Sequence, residues 1–277
     1  MATTDLTAVP SPSSPVRRVT TLGVLRSEWT KFWSLRSSAI TLGVGLLLLV
    51  AFGAITAFTY TPTADTFGAG PDSTSSPDAI SLALSGMNFA PLALGVLGVL
   101  AGAGEYTTGT VRSTLLAVPK RLPVLWSKAA VIGTIALVVS TVGVLVAFSI
   151  GMFGLDGQPI ALSLGDDGVL RGLLGAGLYL GLVAMFGVAL GSLIRSTAGG
   201  IAALVGVTLL LPVVAIMLPN SFFDTVGPYF FSNAGEAVYS LTESAGSLSP
   251  GAGLAVLAGW VAVVLAAAAF RLKRTDA

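Results

Sequence analysis

The chain has 277 residues, 54% of them hydrophobic and only 10% charged, with a net charge of +1 and a mean hydropathy of +0.89. A soluble domain carries about 25% charged residues, so the composition excludes an ordinary soluble domain and points to an integral membrane protein. There is no His and no Cys, which removes the commonest general base, thiolate metal sites and any disulfide framework.

Residues 1–19 are rich in Thr, Ser and Pro. Such a segment buries too little apolar surface to order itself, and it reads as a disordered cytosolic tail. No apolar stretch appears before residue 38, so no signal peptide is expected at the extreme N-terminus. The first apolar run is expected to be retained as an anchor.

Residues 20–37 read as an amphipathic helix. Leu22, Leu25, Trp29, Phe32 and Trp33 form one stripe at helical spacing, with Arg26, Glu28, Lys31 and Arg36 on the rest. Two tryptophans on a basic helix beside a span suggest a helix lying in the membrane interface, and Trp29, Lys31, Phe32 and Trp33 are its candidate interfacial residues. A plain extension of the first span is the alternative.

Six apolar runs follow, at about 38–60, 80–104, 127–150, 172–194, 198–218 and 251–270, each near the ~20 residues that cross a bilayer core. The fold class is therefore all-α. A six-helix transmembrane domain over 38–271 follows the interfacial helix, and 272–277 form a second cytosolic tail. Pro212 is expected to kink the fifth run. Gly177-x-x-x-Gly181 and Gly187-x-x-x-Gly191 in the fourth permit close helix approach and suggest a dimer seam.

Lys and Arg set the orientation. With the N-terminus inside, thirteen of the 14 basic residues face the cytosol and only Arg171 lies outside. Both termini are then cytoplasmic. The long outer segment 219–250 carries Phe222, Phe223, Tyr229, Phe230 and Phe231. It reads either as short re-entrant or interfacial helices or as an ordinary cap with an aromatic belt.

The stretch Glu105 to Lys128 stands apart. It carries Glu105, Arg112, Lys120, Arg121 and Lys128 between runs that carry no charge. Thr110 to Val118 patterns as a short amphipathic helix that Pro119 ends. Gly109 permits a tight turn before it. Thr110 is among the threonines positioned to cap it, Arg112 projects from it, and Leu115 and Leu116 offer an apolar face. Glu105 is either a solvated interfacial charge or a local anchor. A polar-faced helix held between two spans is a part that a cytosolic partner can grip.

No phosphate-cradling G-x-x-x-x-G-K-[ST] motif occurs. Leu84-Ser85-Gly86-Met87-Asn88 and Gly165-Asp166-Asp167 only superficially match an ATP-binding-cassette signature and an intramembrane protease motif. The spans hold essentially no ionisable side chain, with Lys128 at the edge of the third. Ion-coupled carriers need such groups at membrane depth, so energy for transport has to come from outside. Ser85 and Asn88 form a polar patch in span two. They are candidates for the pathway or for interhelical hydrogen bonds.

Gly104 to Arg121, GEYTTGTVRSTLLAVPKR, resembles the cytoplasmic loop of ABC-2 type permeases, the membrane subunits of ATP-binding-cassette exporters. Arg26 to Ser37, RSEWTKFWSLRS, is similar to their N-terminal amphipathic helix. Asn233-Ala234-Gly235 is similar to actinobacterial members. The resemblance covers nearly the whole chain. It implies a permease subunit in the bacterial plasma membrane, forming a homodimer or heterodimer served by a cytosolic ABC ATPase. It implies that ATP and magnesium bind the ATPase and that this chain holds no cofactor and catalyses nothing. No nucleic-acid partner is implied. It also implies that the loop at 105–121 is a coupling helix, with Glu105, Gly109, Thr110, Arg112, Leu115 and Leu116 as its contact residues. A non-transporting membrane scaffold or sensor accessory is the alternative.

Overall fold

A computed structural model describes residues 20–61, 78–107, 109, 122–217, 220–241 and 246–274. The tail at 1–19, the proposed coupling helix and residues 275–277 lie outside the described residues. Every regular element described is helical.

The chain begins with α1, Thr21–Ser34, capped by the Thr20 hydroxyl, which accepts from the Gly23 N–H at 3.2 Å. One extended residue, Leu35, turns it into α2, Arg36–Phe58. Next come a one-turn α3, Ala79–Ala83, a 3-10 turn, Ser85–Asn88, and α4, Ala90–Thr107. Then follow α5, Leu122–Gly154, α6, Val169–Ile194, and α7, Thr197–Val205. A π segment, Gly206–Leu210, joins α7 to α8, Leu211–Ile216. Two short helices, α9, Asn220–Val226, and α10, Phe231–Tyr239, precede α11, Pro250–Arg274. Six of these stretches are long and apolar enough to cross a membrane: α2, α4, α5, α6, α7 through α8, and α11.

Helix α6 is the centre, with 78% of its apolar window buried. It packs against α4, α5, α7, α10 and α11, while α2 closes the other side of α4 and α5. Small residues make this possible. A Cβ added at Gly98 would stand 2.1 Å from the Ala184 carbonyl oxygen, and one at Gly187 would stand 2.1 Å from that of Gly95. The α4 and α6 backbones therefore touch. Gly177 and Gly181 press in the same way on Thr141 and Leu137 of α5, and Gly191 on Val99 of α4. The two small-residue motifs are thus consumed inside the chain. The dimer seam expected of them is not where they sit.

The second apolar run is not one helix over 80–104. It breaks at Leu84–Phe89, and the long helix starts only at Ala90. Gly86 lies against the Leu49 backbone, where a Cβ would meet Cα at 2.4 Å. Pro91, in the first turn of α4, has no N–H to continue a helix from behind. A carbonyl freed by the break is satisfied from a neighbour, since the Thr56 hydroxyl donates to the Leu82 oxygen at 2.7 Å. Pro212 has a similar accommodation. The π segment directly precedes it, and the backbone widens there to take the proline.

The aromatic segment after α8 forms α9, a 3-10 turn at Gly227–Tyr229, and α10. Phe231 is fully buried and stacks on Phe186 of α6 at 4.5 Å. The Phe222 side chain lies outside the described residues.

Candidate functional site

The end of the bundle that carries α1 concentrates charge. Glu28 and Lys31 come from α1, Glu105 from the last turn of α4, and Lys128 from the second turn of α5. Lys31 Nζ lies 2.8 Å from Glu28 Oε1 and 2.9 Å from Glu105 Oε1. Lys128 Nζ lies 2.8 Å from Glu105 Oε1 and 3.8 Å from Glu28 Oε2. It also donates to the Ala101 carbonyl at 3.0 Å. Two carboxylates and two ammonium groups thus close into one network across three helices.

The network is largely out of water. Glu28 and Lys128 are 7% and 6% exposed. A charge buried without a partner is costly, and here each has one. Burial alone would lower the Lys31 ammonium. The hydrogen bonds and charges of Glu105 and Glu28 outweigh that, so its pKa rises above the usual lysine value.

Sequence reasoning missed part of this. It placed Glu28 on the open face of α1, but the protein-facing side is Val24, Glu28 and Phe32. The apolar stripe splits accordingly. Phe32 is buried, while Leu22, Trp29 and Trp33 are exposed, with Trp29 and Trp33 6.3 Å apart. Lys128, read as an edge charge, is buried. Part of the signal was there: a lysine opening a long apolar run needs a partner, and Glu105 is the nearest acidic residue before it.

A second clamp holds the same turn of α4. Arg195 ends α6 with φ 62°, alone among the described non-glycine residues in having a positive φ. Its guanidinium lies over the Tyr106 ring at 5.2 Å. Arg271 of α11 donates to the Leu193 carbonyl beside it. Gly109, just past α4, has φ 72° with open space around it, as a tight turn requires. Thr110, Arg112, Leu115 and Leu116 lie outside the described residues.

The polar patch of the second run is used within the protein. The Ser85 hydroxyl is 2.9 Å from that of Thr56. Asn88 is exposed, and its amide donates to the Ser85 carbonyl at 2.9 Å. Among the described residues, no group of His, Cys, Asp and Glu is arranged to hold a metal.

The family model of the ABC-2 family transporter proteins matches residues 24–215. The chain belongs to that family. It is a multi-pass permease component of an ABC transporter. No curated protein matches it. The family match opens inside α1 and ends in α8, so it takes in all four charges of the network. Helices α9, α10 and α11 lie beyond it.

Proposed function

We propose that this permease is half of an exporter's membrane domain, worked by a separate cytosolic ABC ATPase through the loop at 105–121. One observation carries the reading. Glu105, at the root of that loop, is bridged to α5 by Lys128 and to α1 by Lys31. Force applied to a loop reaches the spans only through stiff attachments. Glu105 and Tyr106 tie the loop root to α1, α5 and α6. The touching α4 and α6 backbones extend that stiffness through the membrane. ATP and magnesium belong to the ATPase, which this chain meets with Arg112, Leu115 and Leu116. The permease works as a homodimer or heterodimer in the plasma membrane, with both termini in the cytosol. An apolar pathway suits lipids, amphipathic drugs or peptides.

The test is made on the loop. Ser113→Pro should break the coupling helix, at about 3 kcal/mol, and abolish transport while membrane insertion persists. Arg112→Glu should weaken pull-down of the ATPase. Normal docking and normal substrate-stimulated turnover in both variants would make the loop a mere connection. Orientation is read in the same cells. Because the chain has no Cys, a cysteine at Ser73 should react with an impermeant reagent and one at Ser113 should not.

A further inference from the structure

At the end of the bundle opposite α1, the charges are arranged differently. A chamber of about 550 Å³ lies between the start of α6, helices α9 and α10, and the start of α11. That is a size that takes a small-molecule ligand. Arg171, Asp224 and Glu236 all line it. Among the described residues, no ion pair joins the guanidinium to either carboxylate. Arg171 uses one donor on the Ser240 carbonyl, at 3.1 Å, of the five that a guanidinium carries. Glu236 is exposed to the chamber, and desolvation by the protein beside it raises its carboxyl above the ordinary range.

A second space opens beside the first. It is a groove of about 570 Å³ between α6 and α11, lined by Leu170, Leu174, Leu178, Val238 and Leu254. Arg171 and Pro250 line both spaces, so the groove and the chamber meet at the guanidinium. The groove runs along two candidate spans, and Leu170 and Leu174 are about half exposed, at 53% and 49%. An apolar groove on the side of a membrane bundle faces acyl chains.

We propose that this pair of spaces binds a zwitterionic phospholipid with a primary ammonium headgroup, drawn from the leaflet at the α10 end. The acyl chain lies in the α6–α11 groove. The phosphate takes the fork of Arg171, a planar donor set matched to phosphate oxygens. The ammonium donates to Glu236 and Asp224. One ligand then satisfies a cation and two carboxylates that share a chamber without pairing. A trimethylammonium headgroup has no N–H to donate, and a glycerol headgroup has no cation, so both fit worse. Arg171 and the α6 side of the groove fall within the stretch that the family model matches, while Asp224, Glu236 and the α11 side lie beyond it.

Binding is read without any ATPase, so failure here and failure of the coupling reading are separate events. The purified full chain is titrated in detergent with phosphatidylethanolamine, phosphatidylcholine, phosphatidylglycerol and a long-chain alkylammonium, and bound lipid is counted by native mass spectrometry. Phosphatidylethanolamine should bind best. Glu236→Gln should weaken it about tenfold, the loss of one charge-assisted hydrogen bond, and leave phosphatidylglycerol unchanged. Arg171→Ala should weaken both phospholipids. Asp224→Asn, at an exposed position, is the second carboxylate variant should Glu236→Gln fail to fold. Equal binding of the three phospholipids, or alkylammonium binding as tight as phosphatidylethanolamine, overturns the proposal.

Discussion

The two ends of this molecule handle similar charges in opposite ways. At the α1 end, Glu28, Lys31, Glu105 and Lys128 close on one another at 2.8 to 3.8 Å. At the α10 end, Arg171, Asp224 and Glu236 face a shared chamber with no ion pair between them among the described residues. Charges that satisfy each other leave nothing for a ligand and instead fix the helices that carry them. Charges held apart around a cavity fix nothing and wait for a partner. We read the first arrangement as a joint and the second as a receptor, so substitutions at the two ends should differ in kind.

The largest effect is expected at the joint. Lys128→Met leaves Glu28 and Glu105 facing each other with only Lys31 between them. Breaking a buried pair in this way costs about 3–5 kcal/mol, read as a lower unfolding temperature of the purified chain. A shift no larger than that of an exposed substitution would mean that the network is not closed. Next comes packing at the opposite end. A Cβ at Gly235 would stand 2.2 Å from the Tyr179 ring, so Gly235→Ala should cost about 1–3 kcal/mol by overpacking. It should loosen α10, which roofs the chamber, and leave the joint untouched. Arg171→Met should change stability by no more than about 0.5 kcal/mol, because the exposed guanidinium makes no ion pair among the described residues. A large loss there would erase the distinction between the two ends.

The smallest effect is one of pH. The pKa of Lys31 is raised in the folded protein above its ordinary value of 10.5. Its contribution is complete below that value and is lost as pH rises through the higher folded one. Unfolding temperature should fall on the alkaline side of pH 10.5, and Lys31→Met should flatten that fall. An identical alkaline profile for the variant would show that the ammonium is not engaged.

The gross fold was legible because length and hydropathy alone specify a span, and six runs of that kind were plain. Partners were not legible, because a sequence does not say which helix a small residue meets. Gly187 and Gly191 could have faced a second subunit, yet they face α4. The break at Leu84–Phe89 was hidden by uniform hydropathy, although Gly86 and Pro91 marked it. Glu105 stood out because it is charged between apolar runs. Glu28 did not, because a charge on an amphipathic helix is normally a solvated one. Only the three-dimensional meeting with Lys128 turns it inward.

The central claim is that the four-charge joint carries motion between the loop and the spans. It is tested most directly by neutralising the three less exposed charges of the joint, which leaves only Lys31, whose side chain is 42% exposed to solvent. The triple variant Glu28→Gln, Glu105→Gln, Lys128→Met is reconstituted with the ATPase, and ATP hydrolysis and transport are measured together. The account predicts a folded permease that still binds the ATPase and still hydrolyses ATP in the complex, with transport uncoupled from hydrolysis. A triple variant that transports at the wild-type ratio of substrate to ATP would contradict it.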